Sequence, residues 1–230
     1  KYNEDKKNNK KYFKMNFDGK DIPQSLEEFT IVEVETPISQ GNTGTCWCFS
    51  TTSFYESEIK RISGEEINLS ELYPVYFEYI EKVKGYINSR GETHFGEGSE
   101  TNAVQRMMKL YGIVPFEEYE GKPSDQTFYN HAEMFSEIDT YLKSCKSTSF
   151  WDESTIIDNT KAILEYYMGT PPTSFRYKGK TFTPQKFLSQ VAKLNTEDYV
   201  DFMSLLEKPY WTQAEYKVPD NWWRSDEYYN

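Results

Sequence analysis

An α+β fold, mostly helical and with few strands, follows from three features of the 230-residue sequence. From Cys46 onward apolar residues recur at 3–4 spacing over most of the chain, which gathers them on one face of successive helices. Period-two alternation is confined to short runs. Tyr, Phe and Trp number 19, 15 and 5, far more than a disordered chain carries, and the length is enough to bury a core without disulfide staples. The three cysteines are an odd count, which excludes a disulfide framework.

Residues 1–30 read as a basic N-terminal arm: the first 20 positions hold seven lysines against Glu4, Asp5 and Asp18, the pattern of a solvated charge run. Ile31-Val32-Glu33-Val34-Glu35 alternates and is a short strand candidate. At Cys46 the period becomes 3.6, with Cys48, Thr52, Tyr55 and Ile59 on one face and Thr45 as N-cap. A second helix follows Ser70, whose hydroxyl can cap it. Pro74 falls in its first turn, and Leu72, Val75, Tyr76, Tyr79, Ile80 and Val83 make its inner face. A third begins after Ser99, buries Ala103, Val104, Met107, Met108 and Tyr111, and stops at Gly112. Beyond the extended segment 113–116, Phe128, Ala132, Phe135, Ile138, Leu142 and Cys145 predict a helix of five turns whose stripe is core and not a cofactor box. Helices are also expected at 154–168, at 184–194 with Thr183 as cap and Pro184 at N1, and at 197–207 after Thr196. Segment 170–183, with Pro171-Pro172 and Lys178-Gly179-Lys180, reads as a turn-rich hairpin or loop.

The net charge of −11 repels phosphate backbones and anionic lipid surfaces, so nucleic acid is not an expected partner. No run of 18 apolar residues occurs, so no membrane span is expected. Residue 1 is Lys; a removed leader and an unseen start both fit.

Chemistry concentrates in Gln40-Gly41-Asn42-Thr43-Gly44-Thr45-Cys46-Trp47-Cys48-Phe49-Ser50. It places a thiol in the first turn of a helix, where the unpaired N–H groups and the positive end of the helix dipole favour the nucleophilic thiolate. The Cys46 N–H and the Gln40 side-chain amide, folded back by Gly41 and Gly44, could point at an oxyanion formed on an acyl carbon. A helix-terminal cysteine taken alone is also consistent with an inert buried residue. Cys48 falls on the inner face as a small core hydrophobe. Cys46 and Cys48 lack the spacing of a zinc site, and two isolated histidines do not complete one, so neither metal nor cofactor is expected.

The string resembles the active-site segment of papain-like cysteine proteases: Gln, five residues, Cys-Trp, one residue, Phe-Ser. Gln40, Cys46, Trp47, Phe49 and Ser50 all match. Leu69-Ser70-Glu71 resembles that family's second-helix start, Gly96-Glu97-Gly98-Ser99 its substrate-backbone segment, and Tyr111-Gly112-Ile113-Val114-Pro115 the exit from its third helix. Thr43 stands where the secreted endopeptidases place a disulfide cysteine. The long insertion after Tyr119, with Leu194-Asn195-Thr196-Glu197-Asp198-Tyr199-Val200 and Val218-Pro219-Asp220-Asn221-Trp222-Trp223, is similar to bleomycin hydrolase and aminopeptidase C.

The resemblance implies a papain-like helical domain at 31–121, a helical insertion at 122–215, and at 216–230 the start of a segment leading to a β-barrel domain largely absent from this chain. It implies a cysteine peptidase, an aminopeptidase acting through a thioester on Cys46. Gln40 would serve the oxyanion hole, and Gly98, Glu97 and Trp47 would line the substrate site, Glu97 as a charge meeting a substrate amine or simply as a solvated loop acid. It also implies a peptide substrate, a homohexamer, and a cytoplasmic setting, or an exported one if a leader has been removed. The family's His and Asn follow well after the Val-Pro-Asp-Asn-Trp region. This chain offers only His94, expected on the surface, and His131, expected as a half-buried helix residue, so a further His- and Asn-bearing segment or chain is an expected partner. The alternative from another class is a non-catalytic binding or structural subunit. A papain-like endopeptidase fits the 120–215 insertion less well.

Overall fold

The computed structural model describes residues 15–32, 34–217 and 226–230. The first 14 positions of the basic arm and the Val218–Trp223 string lie outside the described residues. The chain divides into two compact units, Lys1–Glu33 and Val34–Asn230. In the first, a 3-10 turn at Leu26–Glu28 is closed by the Glu28 carboxylate, which accepts from the N–H groups of Gln24 at 2.7 Å and Ser25 at 3.0 Å.

The second unit is α+β and mostly helical. Its main helices are α1 (Cys46–Ser63), α2 (Leu72–Asn88), α3 (Thr101–Tyr111), α4 (Ala132–Ser147) and α5 (Glu153–Met168). A hairpin of β1 (Phe175–Tyr177) and β2 (Lys180–Phe182) follows. Next comes α6 (Pro184–Phe187), which runs on as a π-helical turn over Leu188–Ala192. A second antiparallel pair, β3 (Gln213–Tyr216) and β4 (Asp226–Tyr229), closes the described chain.

α2 is the spine. It packs against α3 and α5, α1 packs on α3, and α4 on α5. All six residues of its expected inner face are buried. Ser70 caps it as expected, its hydroxyl accepting the Tyr73 N–H at 3.1 Å. α3 ends at Gly112, where φ is +82° and a Cβ would lie 2.2 Å from the Pro184 carbonyl carbon, so the position is fixed both by conformation and by the α6 turn against it. In the β1–β2 hairpin, Lys178 and Gly179 both take positive φ, the geometry of a tight two-residue turn.

Several expectations are corrected. Ile31, Val32, Val34 and Glu35 form no strand: Ile31, Val32 and Val34 are 72, 60 and 67% exposed, so alternation here buries neither face. The five-turn helix is shorter than its stripe suggested. Phe128 lies outside α4 and is exposed, Ala132 is exposed, and Met134 takes the core position, because Asn130 bridges to Asn42 before the helix begins. The helix at 197–207 is only a 3-10 turn, Thr196–Asp198. Gln105 donates to the carbonyls of Thr196 and Tyr199, and the Tyr199 ring packs edge-on against Phe54 and Tyr55, so tertiary contacts take the groups a helix would need. The β3–β4 pair was not anticipated.

Two carboxyl groups in this core bear on stability. Glu56 and Glu71 are buried, and burial pushes both up to about 7, opposed at Glu56 by the Leu69 N–H that its Oε1 accepts at 2.7 Å. The folded state therefore holds these protons more tightly than the unfolded chain. Their contribution is complete below the ordinary carboxyl range and is lost as pH rises through 7. The thermal midpoint should fall by about 3–8 °C between pH 5 and pH 8. Glu71→Gln, which mimics the neutral acid, should flatten that slope in a series of melts; a slope equal to the parent's refutes the assignment.

Candidate active site

Cys46 is the first residue of α1 and is exposed, whereas Cys48, two positions on, is fully buried. Burial pushes the Cys48 thiol well up, and its Sγ donates to the Glu71 carbonyl at 3.0 Å. One thiol faces solvent at a helix N-terminus and its neighbour is core, as the helical period required.

The loop in front of Cys46 is held from two sides. Its first anchor is the stretch 129–131. The Asn42 N–H donates to the Tyr129 carbonyl at 2.8 Å, the Asn42 side-chain amide donates to Asn130 Oδ1 at 3.0 Å, and the His131 N–H donates to the Asn42 carbonyl at 3.4 Å. Gly41 sits in this contact with φ +63°, and a Cβ there would come within 2.4 Å of the Tyr129 oxygen, so only glycine fits. Within the loop, the Gln40 amide donates to the Thr43 carbonyl at 2.5 Å and the Thr43 hydroxyl donates to the Gln40 carbonyl at 2.8 Å. This reciprocal pair closes the turn and fixes where the Gln40 amide points. Thr45 occupies the N-cap position but makes no capping hydrogen bond; its buried hydroxyl lies 2.6 Å from that of Thr43.

The second anchor is Glu97. Its carboxylate accepts the Gly44 N–H at 2.5 Å and its carbonyl accepts the Trp47 indole N–H at 3.3 Å. Gln40, through Thr43 and Gly44, is thus linked to Glu97 and Trp47, and Cys46 lies in the chain between the two residues that Glu97 holds. Next to Glu97, the Gly98 carbonyl accepts from Lys82 Nζ, as does the Gly96 carbonyl at 2.8 Å. Lys82, only 2% exposed, escaped the sequence reading, as did the buried Glu56, Glu71 and Glu78. A signal for three of them was available: Glu71, Val75, Glu78 and Lys82 share one helical face.

The histidines occupy unlike places. His94 is exposed. His131 is only 3% exposed, more deeply buried than expected, and precedes α4 rather than lying within it. Its Nδ1 is 3.2 Å from the Tyr79 hydroxyl and 4.0 Å from Glu97 Oε2, and its Nε2 has no hydrogen-bond partner. Burial lowers its pKa to about 4, so the ring is neutral at neutral pH. Among the described residues neither histidine is hydrogen-bonded to Cys46.

No protein-family model matches the sequence. The chain is 26% identical over 144 residues to germination-specific cysteine protease 1 of Arabidopsis thaliana, a match spanning 55% of this chain and 38% of that protein. Its fold is similar to the crystal structure of PepW from Lactobacillus rhamnosis HN001, with a TM-score of 0.69 and 18% identity over 88% of this chain and 55% of that one. The chain thus spans well under two thirds of either protein. It is related in sequence to a cysteine protease, and it shares a fold with PepW.

Proposed function

We propose that the chain is the nucleophile-bearing part of a cysteine peptidase, with Cys46 forming a thioester with the substrate. The observation that carries this reading is the exposed thiol at the start of α1, preceded by a loop that holds the Gln40 amide on the Thr43 carbonyl, in the spacing shared with papain-like proteases. The thiolate sulfur adds to the scissile carbonyl, the electron pair moves to oxygen, and the Cys46 N–H and Gln40 amide stabilise the oxyanion until the amine leaves. Gly98 would receive the substrate backbone through its N–H, its carbonyl being engaged by Lys82. Trp47 would wall the site. Within this reading the substrate is a peptide trimmed from its N-terminus, as in the bleomycin hydrolase type, and the assembly is a hexamer. The leaving amine needs a proton from an imidazole. His131 is buried, neutral and bound to Tyr79, so the base is assigned to a His- and Asn-bearing segment beyond this chain. His131, buried against Tyr79 and, among the described residues, not hydrogen-bonded to Cys46, favours as second reading a subunit that keeps this helical half without catalysis.

Cys46→Ala should abolish peptide hydrolysis in the assembled enzyme and leave the fold intact, while Cys48→Ala keeps most activity; equal loss in two folded variants would show that the wrong thiol was chosen. Gln40→Ala should lower the acylation rate by roughly 10²-fold, with substrate binding little changed. A turnover number equal to the parent's would make Gln40 a turn residue only. The chain alone should be alkylated at Cys46 by iodoacetamide without turning over a dipeptide amide, and a downstream segment carrying His and Asn should restore cleavage. Turnover by the chain alone that is lost in His131→Ala or His94→Ala would place the base within it and refute this division of labour.

A further inference from the structure

The buried ammonium of Lys82 and the carboxylate of Glu97 make a continuous run of contacts from the middle of α2 to the loop in front of Cys46. Nζ of Lys82, 2% exposed, donates to the carbonyls of Gly96 and Gly98, one on either side of Glu97. A buried cation is costly to leave uncompensated, so both carbonyls are held and the backbone of the residue between them is fixed. Glu97 is thereby set against Gly44, so close that a Cβ on Gly44 would lie 2.8 Å from the Glu97 Cβ. Its carboxylate takes the Gly44 N–H and its carbonyl takes the Trp47 indole. Gly44 and Trp47 bracket Thr45 and Cys46, so one residue anchors the nucleophile's segment at both ends. Gly44 also follows Thr43, whose carbonyl aims the Gln40 amide. A displaced Gly44 carries that carbonyl, and the oxyanion donor, with it.

We infer that Glu97 is a positioning residue for acyl transfer at Cys46, set in place by the ammonium of Lys82, and that its carboxylate is committed to the protein's own Gly44 amide rather than to a substrate amine. The inference rests on the reading of Cys46 as nucleophile and Gln40 as oxyanion donor.

Two reagents separate positioning of the oxyanion donor from mere access to the thiol. With p-nitrophenyl acetate the Cys46 thiolate adds to the ester carbonyl, an oxyanion forms and collapses, and p-nitrophenolate leaves with the electron pair of the broken C–O bond, giving an acetyl thioester. No proton donor is needed. With iodoacetamide the sulfur displaces iodide directly and no oxyanion arises. The ratio of the two rates at Cys46, mapped by peptide mass in the 230-residue chain, isolates oxyanion stabilisation. Gln40→Ala, Glu97→Ala and Lys82→Met should each lower the ratio by ~10-fold, whereas Glu97→Gln, which keeps an acceptor for the Gly44 N–H, should stay within about 3-fold of the parent.

A ratio lowered by Gln40→Ala but unchanged by Glu97→Ala overturns the positioning role while leaving Gln40 its own. A ratio unchanged in both overturns the oxyanion reading and the inference with it. Equal loss in Glu97→Gln and Glu97→Ala also overturns the inference, because the charge and not the acceptor would then matter. If Lys82→Met loses its circular dichroism signature, the two Glu97 variants decide.

Discussion

A helix buried on nearly all sides cannot carry charged residues unless the chain around it bends to meet them, and this constraint organises the molecule. α2 places Glu78, with no exposed surface, and Lys82 in the interior. Glu78 is met by the Arg106 guanidinium of α3 at 2.7 Å and by the Ser99 hydroxyl at 3.0 Å; Lys82 is met by the carbonyls of Gly96 and Gly98. Leaving either charge unpaired in such surroundings would cost several kcal/mol. The course of residues 96–99 is therefore dictated from beneath by α2, and the start of α3 is tied to the same charges. A surface loop has acquired a defined shape because it completes a buried ion's coordination.

What could be read from the sequence follows the range of the interactions involved. The helical spacing of Leu72, Val75, Tyr79 and Val83 is local and was legible, as were the Ser70 cap, the Gly112 stop and the hairpin turn at Lys178-Gly179. The opposite fates of Cys46 and Cys48 were legible for the same reason. Features that fail to show in a linear reading are those set by partners far along the chain. Phe128 continues the apolar stripe of α4 in sequence, but the pairing of Asn130 with Asn42 takes the preceding residues out of the helix. Tyr199 sits in what reads as a helix, but its ring is bound to Phe54 and Tyr55, and Gln105 takes its carbonyl. The buried charges of α2 lie between these extremes. Their register was visible, but charged residues on an apolar face become intelligible only when the loop that answers them is known.

The sequence and structural relatives bear on different parts of this picture. The cysteine protease likeness is a matter of sequence over part of the chain, while the likeness to PepW extends across most of it at the level of fold.

The fastening of that loop has a consequence for the conditions under which the site can persist. Among the described residues, the cross-connections between Gln40 and Cys46 are hydrogen bonds and close packing contacts: Asn42 to Tyr129 and Asn130, Gly41 against Tyr129, Gly44 to Glu97. None is a sulfur–sulfur bond, and the position occupied by Thr43 cannot make one. Thiol reductants, which keep a solvent-facing Cys46 in its nucleophilic form, therefore remove no covalent tie from the loop that surrounds it. The free Cys46 thiol and the loop before it place no opposing demands on redox potential, so strongly reducing surroundings preserve both at once.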